Sequence, residues 1–410
     1  MSLLLRISKK FLFSRTNDHF LSFITWVSVS GVALGVLTLI VVTSVINGFE
    51  GEIKKAVTGV NGDLILYTRG NPVSHPKKIK QKIKKVLPFA QAVTPSFVTE
   101  LMVAGSQSVS GAVLEGIDAM TLGDVTEIPR RLVSGREPER DGEVMIGKAL
   151  GRKIGAKVND SIRLIVPFAA PQEGGKYGGG YRPSARQVKV VGVVDLGMYR
   201  YDSKLVYAPL SFVQDFLNQS GKATTFKIKL QPEAALDSLD ASQKLYDNFG
   251  YPFVARNWAQ LNRNLFYAIK LEKAVISVIL TAIVLIAAFN VVSTLMMMIH
   301  DKTKEIAILK AIGLEPKQSF QLFLFIGGVI GFLGVFIGAL IGVGLNHLIA
   351  KVNLIHLPSE IYHIGYLPVE GRGGEIAVIL SIAFFITLAA ALYPAIRVST
   401  RSPLEGLRYE

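Results

Sequence analysis

Four stretches free of charged side chains constrain this 410-residue chain more than any other feature. No Asp, Glu, Lys or Arg occurs in the 29 positions from Leu21 to Phe49, the 26 from Ala274 to Ile299, the 33 between Lys317 and Lys351, or the 21 between Glu375 and Arg397. A helix needs roughly 20 apolar residues to cross a bilayer core. Each stretch therefore predicts a transmembrane helix, placed at 21–48, 271–299, 319–346 and 375–396. The first run exceeds the roughly 7–15 residues of a signal-peptide core, and no small-x-small cleavage site follows it. Composition agrees: half of the residues are hydrophobic and only 19% are charged, where soluble domains average about 25%. Cysteine is absent, which excludes thiol catalysis, disulfides, zinc–cysteine centres and Fe–S clusters together.

The short flanks set the orientation. Before the first span, an amphipathic segment 1–20 carries Arg6, Lys9, Lys10 and Arg15 against Asp18. The loop 300–318 holds Lys302, Lys304, Lys310 and Lys317, and the tail 397–410 holds Arg397, Arg401 and Arg408. The loop 347–374 has only Lys351 and Arg372 against Glu360 and Glu370. The positive-inside rule puts both termini and the 300–318 loop in the cytoplasm, and a large domain between spans one and two outside.

Residues 49–270 are expected to form that extracytoplasmic domain. Over 50–270, 31 Lys and Arg stand against 21 Asp and Glu, so +10 of the net +14 lies outside the membrane and favours acidic partners. Strand-like pieces fall at 63–68, 99–104, 110–117, 161–167, 187–194, 224–230 and 252–258. A helix is predicted over Pro76–Val86, with Ser74 as N-cap and Ile79, Ile83 and Val86 on one face. A second covers Glu233–Phe249, with Leu236, Leu239 and Leu245 as its apolar side and Gly250 as its stop. The fold class is thus a membrane protein: four transmembrane α-helices plus a large α+β domain inserted between helices one and two. The helix starting near Trp258 is expected to run unbroken into span two, because Leu261–Lys273 contains no Pro or Gly.

Two segments of the outer domain depart from the pattern. GEVMIGKA (Gly142–Ala149) approaches a phosphate-cradling loop, but Ala149 replaces the hydroxyl that would hold Mg²⁺, so a strand turning into a helix is expected. Pro167–Pro183 is a long loop with five glycines and with Tyr177 and Tyr181. Loops longer than about 12–15 residues are usually functional or disordered, so it reads as a partner-binding arm or a disordered hairpin tip.

The four charge-free runs lack the carboxylates and basic groups that proton relays, voltage sensors and ion-coupled carriers place in the membrane, His347 near the outer end of span three being a lone exception. No catalytic motif and no metal-binding motif is present. Span three instead carries Gly327, Gly331, Gly334, Gly338 and Gly342, and span one Gly31 and Gly35, a spacing that lets helices touch closely. Packing within the bundle and a subunit interface are both compatible with it. In the cytoplasmic loop, Ile306, Leu309, Ala311 and Ile312 give a short helix an apolar face, and Gly313 and Pro316 end it. That face lies on the membrane or in a groove of another protein.

One span, a large outer domain, then three spans with EIAILKAIG after span two is a layout that resembles the type VII ABC permeases, the MacB/FtsX superfamily. FLSFITWVSVSGVALGVLTLIVVTSVINGFE near the N-terminus and LYPAIRVSTRSPLEGLRYE near the C-terminus closely resemble the lipoprotein-releasing LolC/LolE permeases. The resemblance implies a bacterial inner-membrane complex of two permease protomers, alike or different, with two cytosolic ATPases of the LolD type. ATP and Mg²⁺ are used by those ATPases, and the permease itself needs no cofactor. Triacylated lipoproteins would be drawn from the outer leaflet, among membrane lipids, and passed to a periplasmic carrier of the LolA type; nucleic acid is not an expected partner.

By the same resemblance, the hook that holds the carrier runs from Pro167 to Pro183, with Tyr177 and Tyr181 at its tip and Arg163 and Arg186 as a basic pad. Val42, Ile46, Asn47 and Phe49 match the lipid-anchor cavity, and Glu305, Ile306, Ile308, Leu309, Lys310 and Gly313 match the helix that couples to the ATPase. Gly331, Gly334, Gly338 and Gly342 are the helix-packing positions. The tip GGKYGGGY is longer and richer in glycine than the family pattern. A relative of the FtsX kind would instead signal to a periplasmic cell-wall hydrolase. An efflux permease of the MacB kind is not expected, since about 20 residues precede span one.

Overall fold

The computed structural model describes residues 19–167, 184–234, 237–352 and 366–401. The described residues up to Gly51 and from Tyr267 onward form one unit, and Glu52–Phe266 forms another. In chain order, α1 (His19–Asn61) is followed by β1 (Leu64–Thr68), β2 (Val73–Ser74), α2 (Pro76–Val86), β3 (Ala90–Ala104), β4 (Val109–Ile117), α3 (Ala119–Val125) and β5 (Leu132–Gly135). Then come β6 (Glu143–Gly147), α4 (Lys148–Ile154), β7 (Ser161–Val166), β8 (Ser184–Val194), α5 (Tyr199–Asp202), β9 (Leu205–Pro209) and α6 (Leu210–Phe216). β10 (Lys222–Ala223), β11 (Thr225–Leu230), α7 (Ser238–Phe249), β12 (Phe253–Asn257) and α8 (Trp258–Leu261) complete the outer domain. Among the described residues, four further helices follow: α9 (Arg263–Asp301), α10 (Thr303–Ala311), α11 (Pro316–Val352) and α12 (Gly373–Thr400).

Segments Ser22–Asn61, Arg263–Asp301, Pro316–Val352 and Gly373–Thr400 are each long and apolar enough to cross a membrane. Their shared core sets Val32, Val36 and Ile40 of α1 against Phe323, Ile326 and Ile330 of α11, with Val291 and Leu295 of α9 and Ala391 of α12. Phe289, Phe332, Phe336 and Phe385 point outward and are exposed, as expected where lipid tails replace water. The helices outrun their charge-free stretches. α1 continues past Phe49 because Ala56, Val57 and Val60 form a further apolar face that is buried. It ends at Gly62, whose φ of +73 breaks the helix and whose N–H bonds to Thr58 O at 2.8 Å.

In the outer domain a ten-stranded sheet runs β12-β1-β11-β3-β4-β9-β6-β8-β5, and β7 pairs with both β3 and β8. Six strands, β3, β4, β9, β6, β8 and β7, therefore pair in a closed ring, which removes their edges. Leu101, Val103, Leu114, Ile146, Leu164 and Val206 are among the buried residues of the associated core, and Phe212 and Val213 of α6 join it. A second core lies between β1, β11 and helices α2 and α7, around Leu66, Ile83, Phe226 and Leu245. A buried ion pair lies within the sheet, Lys227 Nζ of β11 being 2.6 Å from Glu115 of β4, and the same ammonium donates to Val60 O near the end of α1 at 2.9 Å.

Several expectations need correction. β3 begins at Ala90 instead of 99: residues 90–96 pair with β11, with Pro95 opposite Phe226, before pairing with β4 starts at Ser96. β5 and β9 were not expected: the first is only four residues long, and LVYAP is an unalternating buried run without a strand signature. Ser74 is in β2, and the N-cap of α2 is His75, which makes no side-chain cap bond. α7 starts at Ser238 and buries Ala241, Ser242 and Leu245, leaving Leu239 exposed, while Leu236 lies outside the described residues. The run from Trp258 is interrupted at Asn262, which leaves helical geometry at φ −121 and ψ 42 and accepts from Arg200 Nη1 at 3.4 Å. The GEVMIGKA segment is β6 turning into α4, with Lys148 Nζ 2.8 Å from Asp195.

Candidate functional site

A groove of about 490 Å³ opens in the bundle beside the Leu39–Asn47 stretch of α1. Its walls are Leu39, Thr43 and Ile46 of α1, Ile276, Leu280 and Val284 of α9, and Val378, Ile379 and Ile382 of α12. Of the four residues assigned to a lipid-anchor cavity, Ile46 and Asn47 line this groove, and Val42 and Phe49 are not among its lining residues. The groove is neither confined to the first two spans nor free of charge. The last helix supplies a third wall, and Lys273 and Glu375 stand at one end.

Asn47 organises that end. It is 1% exposed, donates from Nδ2 to Glu375 Oε2 at 2.6 Å, and accepts from Lys273 Nζ at 3.0 Å. Lys273 also pairs with Glu50, and Arg372 lies 3.5 Å from Glu375. An Asn, able to donate and accept at once, suits a position between an ammonium and a carboxylate. Chain residues near 368–370 cover α1 here: Glu370 N donates to Ser44 O at 2.9 Å, and a Cβ at Gly48 would collide with the Pro368 carbonyl. Sequence reading missed Lys273 and Glu375 as groove residues because they abut the apolar runs and were taken as limits of the spans. Their one signal was that adjacency.

The span-three glycines divide between two neighbours. A Cβ at Gly331 would fall on Thr387 of α12, one at Gly334 on Val32, one at Gly338 on Val36 and the Ala33 carbonyl, and one at Gly342 on Ile40. They let α11 approach α12 with one part and α1 with another, which is packing within one bundle. Two buried polar contacts add to it: Ser28 Oγ to Thr294 Oγ1 at 2.5 Å, and Asn346 Nδ2 to Ser44 Oγ at 2.7 Å.

At the other end of the bundle, α10 turns Ile306 and Ala307 inward and leaves Glu305 and Ile308 exposed, with Leu309 half-buried. Ile312, beyond the helix, is 80% exposed, and Gly313 at φ +114 turns the chain. Lys310 does not reach outward: its Nζ donates to the carbonyls of Val398 and Arg401 at 2.7 Å each, closing the end of α12. Burial lowers the pKa of its ammonium. The expected face is therefore split, with Ile306 in the bundle core and Ile308 and Ile312 free to meet another surface.

Of the hook, Pro167 follows β7, while Tyr177, Tyr181 and Pro183 lie outside the described residues. Arg163 and Arg186 sit on neighbouring strands, but Arg163 is opposite Gln187 and Arg186 opposite Leu164. Directly opposed residues share a face, so the two side chains leave the hairpin on opposite faces. They do not form one pad. The Arg186 guanidinium lies 5.9 Å from the ring centres of both Phe212 and Phe216. Among the described residues no group of His, Asp and Glu could hold a metal ion.

The chain matches the MacB-like periplasmic core domain over residues 25–243 and the FtsX-like permease C-terminal domain over residues 277–403. It is 31% identical over 421 aligned positions to the lipoprotein-releasing system transmembrane protein LolC of Neisseria meningitidis, covering 98% of each chain. It is 25% identical to the lipoprotein-releasing system transmembrane protein LolE of Haemophilus influenzae, again over 98% of each. The crystal structure of the periplasmic region of MacB from Actinobacillus actinomycetemcomitans aligns at 16% identity and a TM-score of 0.33, covering 52% of this chain and 97% of that one.

Proposed function

Since the chain belongs to the LolC/LolE family of lipoprotein-releasing permeases within the MacB/FtsX superfamily, we propose that it is the multi-pass inner-membrane permease subunit of an ATP-driven complex that extracts triacylated lipoproteins and passes them to a periplasmic carrier. One observation carries the reading beyond the family likeness: an apolar groove among three spanning helices that is closed at one end by Asn47, Lys273 and Glu375. Acyl chains fit the walls, and the ester and amide groups at their head fit a polar end. Each CH₂ withdrawn from lipid costs about 0.8 kcal/mol, so a cargo with dozens of them requires work from outside this chain.

A separate cytosolic ATPase of the ABC type supplies that work and uses the ATP and Mg²⁺. Ile308 and Ile312, exposed around α10 beside Glu305, offer it an apolar knob with an acidic neighbour. A second permease protomer completes the complex, and both termini lie in the cytoplasm. The 167–183 hook, with Arg163 on the outer face of its supporting strand, receives an acidic carrier.

The test is reconstitution. Vesicles holding this chain, its co-purifying ATPase and a radiolabelled triacylated lipoprotein should release the lipoprotein to a soluble carrier only when ATP is hydrolysed. Release that proceeds equally without ATP, or vesicles that release nothing while hydrolysing ATP, would overturn the reading. Ile308→Asp with Ile312→Asp should abolish co-purification of the ATPase while leaving the permease folded.

A further inference from the structure

A second concavity, of about 460 Å³, lies inside the outer domain where β12 ends and α9 begins. Unlike the groove in the bundle it is polar, lined by Arg200, Arg256, Gln260, Asn262, Arg263 and Asn264. No Asp or Glu lines it, and none of the three guanidinium groups pairs with a carboxylate among the described residues. Arg200 spends one N–H on the neutral Asn262 side chain at 3.4 Å, and Arg256 lies 5.6 Å from the centre of the Tyr67 ring. Lys54, over Trp258 at 5.2 Å, adds a fourth cation nearby. Like charges gathered in a concave site repel one another, and a shared anion relieves that repulsion. Arginine forks match carboxylates in a bidentate manner.

The neighbouring strand narrows the kind of anion. β12 is an edge strand of the ten-stranded sheet and pairs only with β1 among the described residues. An open edge offers main-chain groups to an extended segment, and β12 runs directly into the arginine pocket through Ala255 and Arg256. We propose that this pocket and edge form a docking site for an acidic, extended polypeptide segment. The site is separate from the lipid groove and does not depend on the cargo assigned to that groove.

The test uses the full chain in nanodiscs of phosphatidylcholine with fluorescent hexaglutamate as the probe. Hexaglutamate should bind saturably and more weakly as salt rises. Replacing Arg200, Arg256 and Arg263 together by Gln should weaken it about tenfold, three exposed charge pairs being removed at once. Lys77→Gln with Lys78→Gln and Lys84→Gln, on the solvated face of α2, should change it less than about twofold. Arg263→Gln alone, at an exposed helical position, should lower affinity about twofold and covers the case in which the triple variant misfolds. The proposal is overturned if hexaglutamate does not bind or if the α2 lysine set matters as much as the arginines. It is also overturned if inorganic phosphate at equal charge displaces the peptide completely, or if binding appears only with phosphatidylglycerol in the disc.

Discussion

Within the bundle, Gly334 and Gly338 bring α11 against α1 by having no side chain at the crossing, whereas in the outer domain Lys227 and Glu115 place a buried ion pair between strands of the sheet, with Lys227 also bonded to the end of α1. The contrast follows from the solvent each region displaces. Lipid tails are as apolar as the helices they surround, so association there relies on close contact and hydrogen bonds such as Ser44 with Asn346. Water drives the outer domain together through its apolar cores, and that surplus lets it carry two desolvated charges. The first region tolerates added volume poorly. The second tolerates a lost charge poorly.

The largest expected effect tests the second half of that statement. Lys227→Met should cost about 3–5 kcal/mol, because it leaves Glu115 buried without its partner. Pairing it with Glu115→Leu should recover most of the loss. Hydrogen exchange at β4 and β11 in the full chain reads both. A single variant as stable as the double one would erase the contrast between the regions.

Next comes the bundle. Gly338→Leu must displace Val36 and the Ala33 carbonyl, and should cost about 1–3 kcal/mol, seen as a lower melting temperature in detergent. Gly344→Ala, with nothing within 4 Å of the added carbon, should be neutral or slightly stabilising. If the two behave alike, close approach is not what holds α11 to α1.

A titration sharpens the comparison within the outer domain. Burial pushes the Asp202 carboxyl up to about 6, partly offset by the hydrogen bond it accepts from Leu196 N at 2.8 Å. Its folded value then exceeds the ordinary 3.8, so the folded chain binds this proton more tightly than the unfolded one. The stabilising contribution is complete below about 4 and lost as the pH rises to about 6. Asp202→Asn keeps an acceptor for Leu196, should remove that slope, and should be about 1–2 kcal/mol more stable than the native chain at pH 7. An unchanged pH profile of unfolding would show that burial there is not felt as charge.

The smallest effect is at α10. Lys310→Met removes the donor to the Val398 and Arg401 carbonyls and should cost about 1 kcal/mol, confined to faster exchange at the end of α12. A loss spread over the whole bundle would mean that Lys310 supports the fold more widely.

Much of the architecture could be read from local pattern. The four charge-free runs mark the spanning helices, and Pro76–Val86 forms over the residues its periodicity indicated. The outer domain was harder. β3 runs through Pro95, and the ring closes because β7 meets both β3 and β8, a pairing between segments about sixty residues apart that no repeat announces. At the groove, Ile46 and Asn47 were legible through their place at the end of a span, while Lys273 and Glu375 were not.

What the sequence alone determined is where backbone must be helical and apolar outside: a chain in lipid can satisfy its N–H and C=O groups only within itself, and a charge-free run of that length leaves no other solution. The tertiary structure decided which side chains share a site. Asn47 meets Lys273 across 226 positions and Glu375 across 328, and Arg163 parts from Arg186 through strand register. Each of these depends on distance between remote segments, and the periodicity of a single element carries no information about its neighbours.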